Sequence, residues 1–152
     1  MTRRTLAAAL LLLGSLLGGP ASRAAAVPEG CDGEGYVEAL VDGGPRLNVE
    51  TARTDAERAR GLMFRDHLPW DNGMIFIYQT ASRGGYWMGN TYVPLSIAFI
   101  DREGTILNIE NMLPIEGTAY PTGPYLYALE TSWGWYEWNK VKPGDKVRIC
   151  VT

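Results

Sequence analysis

The sequence predicts one compact, mainly β domain of the α+β class. We expect an antiparallel barrel-like or sandwich fold of about eight short strands, with one short helix near residues 55–61. Three observations predict it. A chain of 152 residues is long enough for one ordinary domain and too short for two. Its 18 glycines and 9 prolines favour frequent turns over long helices. Short apolar runs recur between these turns, which is typical of antiparallel β folds.

The first 26 residues have the layout of a cleaved secretory signal. Arg3 and Arg4 form a positive start, residues 6–17 are almost wholly apolar, and Ala24–Ala26 supply the small side chains of a cleavage site. The apolar stretch is shorter than the ~20 residues that span a bilayer, so we expect no stable membrane insertion after cleavage. The two adjacent arginines leave export by the Sec or the twin-arginine route open. We therefore expect an exported protein, periplasmic or extracellular.

The predicted mature chain is a coil over residues 27–34 followed by a single β-rich domain over residues 35–152. Both cysteines remain in it, Cys31 near its start and Cys150 near its end. An even pair in an oxidising compartment predicts a disulfide. The alternative, a redox-active pair, lacks the C-x-x-C spacing that lowers a thiol pKa.

The order of apolar and turn residues places the elements along the chain. Thr54 and Glu57 form a capping box at the start of the helix, and Gly61 ends it. Gly104 suits the left-handed position of a turn between two apolar runs, which predicts a hairpin. The predicted strands span residues 36–41, 46–51, 74–78, 86–88, 95–100, 105–109, 125–130 and 146–151.

Composition makes several functions unfavourable. The formal net charge is −3, and loss of the signal would remove three arginines and no acid, so nucleic acid is not expected as a partner. There is a single histidine, His67, and it lies beside no G-x-S-x-G element, so a Ser-His-Asp triad is not expected. Acidic calcium loops with D-x-D-x-D-G spacing are also absent from the sequence. We predict neither a metal site nor a cofactor.

Six short motifs occur in a fixed order between residues 37 and 147. They are Gly61-Leu62-Met63-Phe64-Arg65, Gly73-Met74-Ile75-Phe76, Trp87-Met88-Gly89-Asn90-Thr91, Val93-Pro94-Leu95-Ser96-Ile97-Ala98-Phe99-Ile100-Asp101, Tyr127-Ala128-Leu129-Glu130 and Pro143-Gly144-Asp145. In this order and spacing the chain resembles the domain of unknown function 192 family. The resemblance implies a compact β-rich domain, often exported, and brings no established activity. The family usually has Lys where this chain has Gly89 and often has Asp where it has Ser96, which disfavours transfer of a charged catalytic pair.

Polar residues of these motifs follow or begin apolar strands, and they are the candidate ligand-binding residues. They are Arg65, Trp87, Asn90, Thr91, Ser96, Glu130 and Trp133. We expect Arg65, Asn90 and Glu130 on one cleft, with Trp87 or Trp133 as a wall, because strand ends converge on one rim of a small barrel. The alternatives are an Arg65–Glu130 ion pair that only joins helix to sheet, and an Asn90 that only builds a turn.

Aromatic residues number 16, from 5 Trp, 8 Tyr and 3 Phe. Four aromatic residues lie within six positions, interleaved with Gly134 and Asn139, and are interpreted as an exposed loop: Trp133, Trp135, Tyr136 and Trp138. Such rings suit the apolar faces of sugars or peptide side chains. The alternative is that they cap a small core and anchor its loops.

Two hypotheses of function follow. The first is an extracytoplasmic binding or accessory protein without enzymatic activity, whose ligand is a neutral polar small molecule such as a carbohydrate or a cell-envelope fragment. The second is a small envelope-directed hydrolase or lyase that uses Glu130 with Arg65. The departures at Gly89 and Ser96 favour the first, and Glu130 is the one candidate catalytic residue of the second.

Overall fold

The structure is a computed structural model that describes residues 29–41 and 43–152. The predicted signal over residues 1–26 lies outside the described residues. Within these ranges the chain forms nine strands and two short helices. They are β1 Tyr36–Ala39, β2 Arg46–Ala52, α1 Asp55–Arg60, β3 Asn72–Ser82, β4 Tyr86–Trp87, β5 Leu95–Ile100, β6 Ile106–Met112, β7 Thr118–Ala119, β8 Tyr125–Ser132, α2 Trp135–Trp138 and β9 Val147–Cys150.

Seven strands form one sheet in the order β6-β5-β8-β3-β2-β1-β9. All neighbours are antiparallel except β2 and β3, which are parallel and joined by a crossover through α1. The two edge strands meet at one end, where Thr105 bridges Lys146 and the Ile106 N–H donates to the Asp145 carbonyl at 2.9 Å. The sheet is therefore curled into a half-barrel, which confirms the predicted β-rich, barrel-like class. Strands β4 and β7 form a separate two-stranded ribbon.

Each face of the curled sheet buries its own apolar cluster. The inner cluster, enclosed by the curl, includes Leu47, Ile75, Ala98, Leu129 and Val147. The outer cluster lies between the other face and the layer of loops that holds the β4–β7 ribbon. It includes Leu62, Met74, Phe76, Met88, Ile97, Phe99 and Tyr125. Alternate residues of β3, β5 and β8 enter the two clusters, because successive side chains of a strand point to opposite faces.

The predicted hairpin, helix cap and disulfide are all present. Strands β5 and β6 pair antiparallel across the turn in which Gly104 has a φ of 78°. Thr54 accepts a hydrogen bond from the Glu57 N–H at 3.2 Å, and the Glu57 carboxylate accepts one from the Thr54 N–H at 2.9 Å. Cys31 and Cys150 are bonded, with their Cα atoms 5.7 Å apart.

The aromatic segment after β8 differs from the prediction of an exposed loop. Trp135–Trp138 form α2, in which Trp135 and Tyr136 are buried in the inner cluster. The Tyr136 hydroxyl donates to the Leu129 carbonyl at 2.7 Å, and the Trp135 indole N–H donates to a carboxylate oxygen of Asp71 at 3.2 Å. Two consecutive rings of this segment are thus packed in the inner cluster, and the alternative interpretation as a core cap is correct for these two rings.

Candidate functional site

A cleft of about 250 Å³ opens over the outer face of the sheet. Its floor includes Glu130 of β8, one wall is the end of α1 and the loop after it, and the other wall is β4. Of the seven predicted ligand-binding residues, Glu130, Trp87 and Thr91 line this cleft. The cleft therefore has the Glu130 carboxyl at its bottom, the exposed Trp87 ring at its rim and the buried Thr91 in its lining.

Glu130 is an acid in a largely apolar environment. Met74 of β3 and Ile97 of β5 lie directly opposite it on the two neighbouring strands. Only 5% of the residue is exposed, and within the described part of the chain no ion pair or hydrogen bond holds its carboxyl. Burial raises the pKa of Glu130 to about 8, since the charged form loses its hydration without a compensating cation. The carboxyl is therefore mainly protonated at neutral pH and can donate a hydrogen bond.

Tyr78 and Tyr86 line the cleft with Glu130, and Tyr125 packs against Tyr78, a cluster that was not predicted from the sequence. The hydroxyls of Tyr78 and Tyr86 lie 3.0 Å apart, and the Tyr125 hydroxyl donates to the Gly84 carbonyl at 2.8 Å. Burial raises the pKa of Tyr86 and of Tyr125 above its ordinary value, so both hydroxyls stay neutral. The alternation along β3, which directs Phe76 and Tyr78 to one face, was the one available signal for Tyr78.

Two arginines of α1 also line the cleft and differ in their engagement. Arg58 donates to the Ile77 carbonyl at 2.9 Å, pairs with Asp55, and lies over the Tyr78 ring at 4.7 Å from its centre. Arg60 makes no ion pair or side-chain hydrogen bond within the described ranges, so it is the free cation at the rim.

The predicted contact between Arg65 and Glu130 is wrong. Arg65 instead forms a two-pronged ion pair with Glu50 of β2, at 2.6 and 2.7 Å. Glu50, Met74 and Glu130 occupy one row across β2, β3 and β8, so the partner of Arg65 lies two strand spacings, roughly 10 Å, from Glu130 along the sheet. The physical reason is solvation, because a pair with Glu50 stays partly hydrated whereas one with Glu130 would bury both charges.

Asn90 builds a turn and does not line the cleft. Its φ of 58° is left-handed, a conformation that asparagine tolerates. Its carbonyl accepts a hydrogen bond from the Phe64 N–H at 2.7 Å, and the neighbouring Thr91 carbonyl accepts one from the Ile115 N–H at 3.1 Å. Asn90 and Thr91 thus join three loops of the outer layer, and the expectation that Asn90 shares the cleft with Glu130 is not met.

Ser96 and Trp133 lie away from the Glu130 cleft. Ser96 points to the opposite face of the sheet, where its hydroxyl accepts from the Gly134 N–H at 2.9 Å and donates to Asn111. It lines a second cavity of about 430 Å³ beside α2. Trp133 lines a separate depression together with His67, and neither Ser96 nor Trp133 lines the Glu130 cleft.

Two further features bear on the kind of site. In residues 29–41 and 43–152 there is no group of three or more His, Cys, Asp or Glu side chains placed to hold a metal ion. The same residues contain no helix with the length and apolar character needed to cross a membrane.

The family follows from comparison with known proteins. The model of the family described as Uncharacterized ACR, the domain of unknown function 192, matches residues 38–149. The chain belongs to the domain of unknown function 192 family. Among curated proteins, none matches it.

Two crystal structures are similar to this member of the domain of unknown function 192 family. One is a protein of unknown function from Novosphingobium aromaticivorans DSM 12444, which is 37% identical with a TM-score of 0.71 over 74% of this chain and 83% of its own. The other, from Sinorhizobium meliloti 1021, is provisionally described as a transcription regulator. It is 35% identical, with a TM-score of 0.70 over 74% of this chain and 91% of its own.

The structure gives a physical meaning to the two departures from the pattern of the domain of unknown function 192 family. Gly89 lies beneath the indole ring of Trp87, and any side chain at this position would have to displace that ring. Ser96 faces the inner cluster, so an acid at this position would lie on the opposite face of the sheet from Glu130. The two positions therefore do not form one charged pair beside Glu130.

Proposed function

We propose that this protein is an exported binding protein whose cleft holds a neutral polar small molecule, with a carbohydrate or a cell-envelope fragment as the favoured class. The observation that supports it most is Glu130, a protonated carboxyl at the floor of an open cleft without a partner in the described part of the chain. An acid that has lost its hydration in this way costs stability, and a ligand hydroxyl or amide would restore its hydrogen bonds.

The cleft wall fits the same class of ligand. Trp87 offers an apolar ring at the rim, and Thr91 offers a hydroxyl inside. Ligand sites combine apolar walls with a few polar groups that fix orientation, and this cleft has that make-up. A neutral ligand fits the floor, which is uncharged at neutral pH, and Arg60 at the rim can donate hydrogen bonds to its hydroxyls.

Export is supported by the disulfide between Cys31 and Cys150, since such bonds persist in oxidising compartments. Intact-mass measurement of secreted protein tests it. We expect a chain that begins near Val27, and a secreted mass that retains residues 1–26 would contradict cleavage.

The alternative, a small hydrolase or lyase, retains Glu130 as a proton donor and loses Arg65 as its partner. A two-carboxylate mechanism needs a second acid at the cleft. Among the described residues that line the cleft, Glu130 is the one acid, which favours binding over hydrolysis. The transcription-regulator description of the Sinorhizobium relative fits this chain poorly, because a net charge of −3 offers no basic footprint for DNA.

A glycan and cell-wall fragment array with three proteins tests the proposal. Glu130→Gln keeps a neutral group that donates and accepts hydrogen bonds, so it should retain binding, whereas Glu130→Leu should lose it. Turnover of a bound fragment that Glu130→Gln abolishes would favour the hydrolase instead. Binding that is unchanged in Glu130→Leu would contradict the proposed site.

A further inference from the structure

The β4–β7 ribbon beside the cleft has an aromatic outer face. Tyr86 pairs with Ala119, and both point towards the outer cluster. Trp87 pairs with Thr118, so Trp87 and Tyr120 occupy the opposite, solvent side as diagonal neighbours. Diagonal neighbours on one face of such a pair lie ~7–8 Å apart. Two of the most exposed large apolar side chains of the described residues, 65% for Trp87 and 67% for Tyr120, thus share one short surface.

The Trp87 ring lies flat on Gly89. A Cβ placed on Gly89 would fall on Cζ3, Cη2 and Cε3 of the indole at similar distances from all three. An edge-on ring would bring the middle atom much closer than its two neighbours, so the contact is with the ring face. One face of the indole is therefore supported by backbone, and the other is presented to solvent.

The Tyr120 ring lies against the backbone at Gly85. A Cβ on Gly85 would lie 2.6 and 2.7 Å from the Cδ1 and Cε1 atoms of Tyr120. The backbone of Tyr120 is held independently, since its carbonyl accepts a hydrogen bond from the Asn108 side chain at 2.9 Å. Gly85 also lines the cleft, so the Tyr120 ring continues the surface that begins at the cleft wall.

We propose that this aromatic ribbon, Trp87 and Tyr120 on Gly89 and Gly85, is a second subsite, and that the ligand is an oligosaccharide of at least two rings. The inference rests on the proposed function and names the substrate class of the same site. A pyranose has an apolar C–H face that stacks on a flat ring, and hydroxyls around its edge that bind polar groups. One sugar would place hydroxyls on Glu130, and the chain would leave the cleft over Trp87 and Tyr120.

A saccharide fits this surface better than a folded protein partner does. Protein interfaces have a continuous apolar centre, which excludes water around the rings. Here the two rings are separated by Thr118 and Gly85, and the neighbouring rim holds the free cation Arg60. Isolated rings between polar groups match the alternating apolar faces and hydroxyls of a sugar chain. A proline-rich peptide is the competing occupant, because such peptides also dock on aromatic grooves.

Calorimetric titration of the full chain with cello- and chito-oligosaccharides of one to four rings tests the inference. We expect affinity to rise from one ring to two or three. In Tyr120→Ala that rise should disappear, with about five- to tenfold weaker binding of the longer probes and unchanged binding of the single ring. In Gly89→Ala, where the added methyl displaces the Trp87 ring, all probes of two or more rings should bind more weakly. Trp138→Ala, which removes an exposed ring on α2, is the matched control and should bind like the parent chain.

Three results of this titration would overturn the inference or its choice of ligand. Equal affinity for all lengths, an unchanged length dependence in Tyr120→Ala, or tighter binding of decaproline than of any saccharide would overturn the inference. Absence of saccharide binding would also overturn it. If the protein instead bound a non-saccharide fragment on the array, and that binding required Glu130, the proposed function would still stand. Thermal melts of each variant establish that it is folded, and the single-ring probe reports an intact cleft.

Discussion

Replacing Glu130 with glutamine should make the protein more stable at neutral and basic pH and change its pH dependence in a defined direction. The pKa of Glu130 rises from an ordinary 4.5 to about 8 because of burial. Below pH 4.5 the carboxyl is protonated in both the folded and the unfolded chain. Between the two values the unfolded chain releases a proton that the folded chain keeps, so the free energy of unfolding falls as the pH rises.

The slope of that fall is ~1.4 kcal/mol for each pH unit. Relative to pH 4.5, the free energy of unfolding has fallen by about 3 kcal/mol at pH 7 and by about 5 kcal/mol above pH 8. Glutamine does not titrate, so the stability difference between Glu130→Gln and the parent chain should grow by these amounts. All other groups titrate alike in both proteins and cancel in the difference.

Urea denaturation of both proteins, with the disulfide intact, at half-unit steps from pH 4 to pH 9 measures that difference. Parallel stability curves across this range would refute the reasoning, because they would mean that Glu130 ionises in the folded chain as it does in water. Glu130→Asp offers a control that retains the titrating group and should retain a falling curve.

Three further perturbations follow from the fold. Replacing Cys31 and Cys150 together with serine removes a link across 119 positions, and should lower the free energy of unfolding in urea by roughly 4 kcal/mol. Thr54→Ala removes the N-cap of α1 and should cost about 1 kcal/mol in the same assay, whereas Thr54→Ser should cost little. A double-mutant cycle on Arg65 and Glu50 should give a coupling below about 1 kcal/mol, since both side chains are partly exposed. A coupling of several kcal/mol would contradict the hydrated pair.

Local signals in the sequence predicted much of the fold. The capping box at Thr54 and the turn at Gly104 depend on neighbours within a few residues, and both appear as predicted. The parallel pairing of β2 with β3 and the two-residue strands β4 and β7 depend on tertiary contacts, which leave no periodicity in so short a segment.

The candidate site was predicted less completely because it depends on which face each residue occupies. Glu130, Trp87 and Thr91 meet at one cleft, whereas Ser96 differs from Ile97 by one position and so points to the other face. Arg65 pairs with Glu50 and not with Glu130, and the separation of these two acids depends on the strand order β2-β3-β8, which the sequence does not reveal. A one-residue change of register, or a different strand order, would have altered every one of these contacts.

The most direct test of the binding site is a map of amide chemical-shift changes by NMR. The mature protein would be titrated with the tightest-binding member of the cello- and chito-oligosaccharide series. The account predicts that shifts concentrate at Gly85, Trp87, Thr91 and Glu130, around the cleft over the outer face. Shifts concentrated instead at Gly134 and Lys140, beside the cavity on the opposite face, would contradict it.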